Sequence, residues 1–177
     1  MSSESHEVTD TPLVTVIIAS YNHARYIEAS ITSVINQTYK NIELLVIDDG
    51  SKDDSPAVLK RLQEQYGFDL RFQANQGLAR TLNDAIARAR GSLIVPFGSD
   101  DIMLPHRIAT QVEYMNGKPE VGICSANIET IDQDGKGMGA REQRNRNLPF
   151  RRLDFDDLFL DRKPGPMAAT LMPVSYT

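Results

Sequence analysis

The chain has 177 residues, 41% of them hydrophobic, and a formal net charge of −5. That length and balance suffice for one buried core and exclude a chain too polar to fold, and the negative charge argues against a general nucleic-acid binder, so no nucleic-acid partner is expected. The single cysteine, Cys124, offers no disulfide framework; inside the apolar run "VGICSA" it reads as a small core residue in a reducing, cytoplasmic compartment.

Residues 1–11 are polar, lack a signal-peptide pattern and are expected to form a disordered tail ahead of one domain over 12–177. No apolar run reaches the roughly 18 residues of a membrane span. "VTVIIA" (14–19) is a β-branched run with the composition of a strand covered on both faces. "YIEASITSVINQT" then places Ile27, Ile31, Val34 and Ile35 on one helical face. "IELLVI" (42–47) is a second buried strand. In "SPAVLKRLQEQY", Ser55 is expected as the N-cap, Pro56 as the first helical residue, and Leu59, Leu62 and Tyr66 as the inward face. A weaker strand, "DLRFQ" (69–73), leads to a helix with Leu78, Leu82, Ala85, Ile86 and Ala89 inward, closed by Gly91. "SLIVPF" (92–97) is another strand. A helix from Pro105 carries Ile108, Val112 and Met115 inward, and "VGICSANIETID" with "DQDG" reads as a strand entering a hairpin turn. This alternation predicts an α/β fold, a mainly parallel sheet flanked by helices on both faces.

In such sheets ligands bind beyond the carboxyl ends of the strands. Three polar clusters stand there: "SYN" (20–22), "DDGS" (48–51) and "GSDD" (98–101). Parallel strands bring them to one edge although they are far apart in the chain. Asp53 and Asp54 are read as complementing the positive end of the helix that follows. Asp100 and Asp101 fit that role poorly. With Pro105 at the first helical position the cap falls at Leu104, and two adjacent carboxylates repel each other unless a cation or donors accompany them. A divalent ion held through oxygen, with phosphate completing its shell, supplies that charge. His6, His23 and His106 lie in unrelated segments without metal-site spacing and receive no metal role.

"PLVTVIIASYNHARYIEASITSVINQTYKNIELLVIDDGSKDDS", followed by "NQGLARTLNDAIARARGSLIVPFGSDD", resembles the nucleotide-binding half of a family 2 glycosyltransferase with the GT-A (Rossmann-like) fold, from about Pro12 to about Val121. The resemblance implies transfer of a sugar from a nucleotide-diphosphate sugar, expected to be a UDP-sugar, to a saccharide or lipid-linked acceptor in cell-surface polysaccharide synthesis. It implies that Ala19, Ser20 and Tyr21 border the base, with the Tyr21 ring free to stack, and that Asp49 accepts a hydrogen bond from it. Ser99 and Asp100 would lie on the nucleotide. Asp100 and Asp101 would hold a Mn2+ or Mg2+ ion that stabilises the departing diphosphate. Peripheral membrane association of the full-length protein is a further implication.

The sequence departs from the family pattern at two places. Gly98 stands where the first Asp of the Asp-x-Asp motif is expected, and Leu82-Asn83 replaces a frequent Arg-Asn pair, with Arg80 nearby read as an exposed helical arginine. Other assignments fare worse. A haloacid-dehalogenase phosphatase needs a nucleophilic aspartate two residues before Asp49, where Ile47 stands, and no glycine-rich dinucleotide fingerprint follows the first strand. The alternative of a different class is a non-catalytic nucleotide- or sugar-binding module of the same fold, which Gly98 favours.

The last third is read more coarsely. "GKGMGAREQRNRNLPFRR" is expected as a solvated mobile loop, "DFDDLFLD" as a short amphipathic helix whose Asp154, Asp156, Asp157 and Asp161 face solvent, and "KPGPMAATLMPVSYT" as turns and the start of a strand. The resemblance places the general base in a later acidic motif, so the catalytic base is expected beyond Thr177 and the domain to be truncated at its C-terminus.

Overall fold

The computed structural model describes residues 11–126, 128–137 and 170–173. From Val14 to Met115, strands and helices alternate: β1 (Val14–Ser20), α1 (Ile27–Ile35), β2 (Ile42–Asp48), α2 (Ser55–Tyr66), β3 (Asp69–Phe72), α3 (Leu78–Ile86), β4 (Leu93–Gly98) and α4 (Arg107–Met115). Two short strands, β5 (Cys124–Ser125) and β6 (Thr170–Pro173), complete a six-stranded sheet in the order β3-β2-β1-β4-β6-β5. β1, β2, β3 and β4 run parallel, while β6 is antiparallel to both β4 and β5. The expected α/β architecture is therefore observed, with one antiparallel edge.

Why the sheet is covered on both faces follows from its side chains. Val14, Val16 and Ile18 of β1 point into a core completed by Ile27, Ile31 and Val34 of α1, Leu59 and Leu62 of α2, and Ile108 and Val112 of α4. Ile17 points the other way, with Leu45, Ile47, Ile94 and Ala85 of α3. The chain steps outward from β1 to β3, then crosses back to β4 on the far side of β1. Right-handed connections in opposite directions must lie on opposite faces, which is why α3 is separated from α1 and α2. The strand order reverses at β1, so a crevice opens beyond its carboxyl end, between the loops that follow β1 and β4.

Several local expectations are corrected. The N-cap of α2 is Asp54, not Ser55, and Asp54 makes no side-chain cap bond. Ser55 is instead buried in the first turn, where its Oγ accepts from the His23 amide at 3.0 Å, and Asp53 Oδ1 accepts the Ser55 amide at 3.0 Å. α4 starts at Arg107 rather than Pro105, because the Pro105 carbonyl is turned back to accept from the Thr38 amide at 2.9 Å. Among the described residues of 121–132, Cys124–Ser125 alone is strand, paired with β6; the expected hairpin survives as a bridge between Ile131 and Gly137 around Asp132–Gly135. Leu78, expected inward, is 64% exposed at the start of α3.

Gly91 does not close α3, which ends at Ile86. It is buried where the chain passes β1: a Cβ there would lie 2.7 Å from Leu13 O, Thr15 N and Thr15 Oγ1. Two of those neighbours are backbone atoms, one in β1 and one just ahead of it, and cannot yield cheaply. Gly91→Ala should destabilise the fold by about 1–3 kcal/mol, read as a lower urea midpoint at unchanged slope; a midpoint equal to wild type would show that β1 gives way without cost.

Candidate functional site

The three polar clusters meet at the carboxyl edge. The Asp49 amide donates to the Ser20 carbonyl at 2.8 Å. Asn22, at φ 56, donates its amide to Ser51 Oγ at 2.9 Å and accepts the Lys52 amide on its Oδ1 at 2.7 Å. The next two residues bind the start of α2, through the His23 contact to Ser55 and the Ala24 amide on Asp53 Oδ2 at 3.0 Å. His23 Nδ1 and Ser99 Oγ share a hydrogen bond at 2.6 Å, which joins the loop after β1 to the loop after β4. "SYN", "DDGS" and "GSDD" thus form one hydrogen-bonded edge. His23, to which the sequence assigned no role, is one of its joints; only a contact across 76 residues reveals it.

A cavity of ≈ 190 Å³ opens at this edge, lined by Ala19, Ser20, Tyr21, Asp49, Asn75, Gly77 and Leu78. Four of these residues were expected from the sequence; Asn75, Gly77 and Leu78 were not. Tyr21 is 45% and Leu78 64% exposed, so both supply apolar surface beside the cavity. At its base, Asp49 is only 4% exposed. Its Oδ1 accepts from Gln73 Nε2 at 2.8 Å and from the Gln76 amide at 3.0 Å, and its Oδ2 accepts from the Gly77 amide at 2.9 Å. Burial by itself raises the pKa of this carboxyl, but the bonds from Gln73, Gln76 and Gly77 together outweigh it and hold the group below its ordinary 3.8. The Thr81 hydroxyl is a further hydrogen-bond partner of this carboxylate, which is thereby fixed against the wall of the cavity.

Two further polar atoms at the same edge are buried and unpaired among the described residues: Ser20 Oγ and Asp48 Oδ2. The residues are register partners across β1 and β2, so these atoms project on the same face of the sheet end. Buried polar atoms without partners are rare and costly, and they mark this strand end as organised for something other than stability.

Beyond β4, Ser99 is buried against His23, whereas Asp100 and Asp101 are exposed. The position of Gly98 explains how the pair is arranged. A Cβ on Gly98 would overlap Asp101 Oδ2 and lie 3.2 Å from Asp100 Oδ1, so both carboxylates fold back over the same glycine. The Asp101 carboxyl is held above its ordinary value, first by loss of solvent around it and next by the charge of Asp100, with Arg107 acting in the opposite sense. Two carboxylates converging on one point, one of them disfavoured as an anion, match the donor set of a hard divalent cation. Among the described residues there is no group of three or more His, Cys, Asp and Glu that could hold a metal ion.

A larger cavity, ≈ 660 Å³, lies at the opposite end, along the amino ends of β2 and β3. Two ion pairs lie along it, Arg90 with Glu43 at 2.5 Å and Arg88 with Asp69 at 3.2 Å, while Arg88 Nε is buried without a partner among the described residues. None of the three clusters reaches it. Arg80 is exposed, as expected. Residues 1–10, the basic stretch, the acidic segment with Asp154, Asp156, Asp157 and Asp161, and the general-base region all lie outside the described residues.

Comparison with known proteins identifies the family and the fold. The model of the family described as "Glycosyl transferase family 2" matches residues 15–173. The chain belongs to that family. An uncharacterized glycosyltransferase of Nostoc sp. is 39% identical over 128 residues, covering 68% of this chain and 40% of the relative. One from Rickettsia conorii is 34% identical over 167 residues, covering 93% of this chain and 27% of the relative, so the chain spans less than half the length of either. Among solved structures, the mannosyltransferase PcManGT of Pyrobaculum calidifontis, in complex with GDP-Man and Mn2+, superposes with a TM-score of 0.61 at 28% identity, over 67% of this chain and 36% of that one. TarS of S. aureus in complex with UDP-GlcNAc superposes with a TM-score of 0.57 at 19% identity, over 68% of this chain and 37% of that one, and supports the fold alone. The family 2 sheet, mostly parallel and flanked by helices, is therefore that of GT-A glycosyltransferases.

Proposed function

We propose that the carboxyl edge binds a nucleotide-diphosphate sugar and a divalent metal, and that the protein transfers that sugar to a saccharide or lipid-linked acceptor in cell-surface polysaccharide synthesis. The observation that carries this reading is the presence of two complementary features on one edge: a small cavity with a buried acceptor, Asp49, and a carboxylate pair, Asp100 and Asp101, joined to it through His23 and Ser99. The Pyrobaculum neighbour, which carries GDP-Man and Mn2+, lends support to both halves.

Each residue has a role in this reading. Ala19, Ser20 and Tyr21 border the base, with the Tyr21 ring and Leu78 as apolar walls. Asp49 accepts a ring N–H of the base, which suits uracil. Ser20 Oγ lies unpaired where a polar group of the donor could meet it. Asp100, backed by Ser99, faces the ribose and diphosphate, and Asp100 with Asp101 would hold Mn2+ or Mg2+. When bound, that ion supplies positive charge against the diphosphate leaving group. The protein's own part is to bind and orient the donor; the base that accepts the acceptor's proton is assigned to a carboxylate outside the described residues. The buried free Cys124 suits a reducing compartment, and action at the cytoplasmic face of the membrane is part of the proposal.

The test is calorimetric titration of UDP-sugars and GDP-Man with and without Mn2+. Tighter UDP-sugar binding in Mn2+ is expected; binding indifferent to metal would remove Asp100 and Asp101 from the site, and a preference for GDP-Man would move the base assignment away from uracil. Gly98 also supports a second reading, a non-catalytic binding module, because it removes one family carboxylate. Measured donor hydrolysis separates the two: the transferase reading expects slow metal-dependent release of nucleoside diphosphate, and the module expects none above background.

A further inference from the structure

We propose that the polar face of α1, together with His23, is a positioning device that sets the geometry of the Asp100 and Asp101 pair; the metal role of that pair rests on the reading above. α1 has two faces. Ile27, Ile31 and Val34 enter the core, while Ser30 and Ser33 lie along a neighbouring stripe that Gln37, two residues past the end of the helix, continues. Ser30 and Gln37 are fully buried although polar, so their partners define what the stripe is for.

Those partners lie on one segment, 98–108. Ser30 Oγ donates to the Gly98 carbonyl at 2.9 Å. Ser33 Oγ accepts the Met103 amide at 2.9 Å. Gln37 donates to the Leu104 carbonyl at 2.8 Å and accepts the Ile108 amide at 3.2 Å. Thr38 donates its amide to the Pro105 carbonyl at 2.9 Å, and His23, whose carbonyl accepts the Tyr26 and Ile27 amides at the entry to α1, holds Ser99 by its side chain.

Gly98 and Met103 are thus fixed from α1 and Ser99 from His23 ahead of it, and the residues left exposed between the anchors are Asp100, Asp101 and Ile102. The only other described backbone bond in this turn runs from the Asp101 amide to the Gly98 carbonyl at 3.4 Å, the same carbonyl that Ser30 holds. The contacts to 98–108 from Ser30, Ser33, Gln37 and Thr38 are all to backbone, so α1 and the turn after it dictate the path of the loop without regard to its side chains. The two carboxylates converge over Gly98 because the anchors on either side leave the turn one course. A metal site built of only two protein carboxylates depends on such support, since small displacements of a ligand carry directly into affinity.

Ser30→Ala, Ser33→Ala and the conservative Ser33→Thr test this, with three readouts. Mn2+ affinity in the presence of UDP is measured by electron paramagnetic resonance, uridine affinity without metal by calorimetry, and exchange of the Asp101 and Met103 amides by NMR. The expected result is a 3- to 10-fold rise in the Mn2+ Kd for each alanine variant, about what loss of one hydrogen bond produces. Uridine affinity should be unchanged, exchange should quicken only in 100–103, and Ser33→Thr should restore both. Equal weakening of Mn2+ and uridine binding would overturn the proposal, because that is how general loosening of the fold behaves. If the wild-type protein binds no Mn2+ with UDP, the metal reading fails; amide exchange then still decides, since unchanged protection at Asp101 and Met103 in both alanine variants overturns the positioning role and a local loss of protection upholds it.

Discussion

Replacing Asp101 by asparagine should weaken Mn2+-supported binding of UDP about 100-fold, roughly 2.7 kcal/mol, while making the metal-free protein slightly more stable. The two effects have one cause. Asparagine keeps the shape of the side chain that folds over Gly98 but removes its charge, so the cation loses one of two carboxylates. Without metal that charge is a burden. The Asp101 carboxyl titrates above its ordinary 3.8, through loss of solvent and the neighbouring Asp100, so the fold favours its protonated form. The stability linked to this group is present below pH 3.8 and is lost as pH rises through the raised folded value. At neutral pH asparagine removes that loss. Calorimetry with Mn2+ and thermal unfolding in chelator check the pair of effects; unchanged UDP affinity in both Asp101→Asn and Asp100→Asn would end the metal assignment. The same geometry predicts that Gly98→Ala, whose Cβ would displace Asp101 Oδ2, mimics Asp101→Asn in binding without its gain in stability.

Asp49→Ala is expected to be the most damaging substitution at the base end of the site, costing about 3 kcal/mol or more of folding stability. Two backbone amides, of Gln76 and Gly77, and the Gln73 side chain all donate to this one carboxylate; the two amides would be left without their acceptor beneath the cavity, and Gln73 would keep only its bond to Thr81 Oγ1. The sign with pH is opposite to that of Asp101. Because the Asp49 carboxyl is held below 3.8 by those bonds, its contribution is present above pH 3.8 and is lost as pH falls through the lower folded value. The alanine variant should therefore show a large deficit at neutral pH that narrows in acid. Where the variant remains folded, uridine and UDP should both bind less tightly, by similar factors. A loss confined to UDP would place Asp49 at the phosphates, and a stability deficit independent of pH would show that the carboxylate is not what Gln73, Gln76 and Gly77 require.

The strands, the helices that carry Ile27, Ile31, Leu59 and Ile108, and the edge on which "SYN", "DDGS" and "GSDD" meet were legible from the chain alone. Apolar periodicity records burial directly, and a parallel sheet leaves only one edge for residues that follow its strands. Family membership was legible for the same reason, because the motifs sit at fixed places relative to those strands. What periodicity cannot record is which polar groups meet across the chain. The sequence shows Ser30, Ser33 and Gln37 only as breaks in an apolar face, and His23 as a lone histidine; their partners lie 67 to 76 residues away. It counts Leu78 as core, although a leucine at the first position of α3 has no sheet opposite it and turns toward the cavity instead. It reads Gly98 as a missing carboxylate, whereas tertiary packing makes that same glycine the space into which Asp101 folds. Burial pattern is a property each segment carries by itself; the course of the aspartate loop is decided only when α1 and β4 are packed side by side and the unpaired groups of one find those of the other.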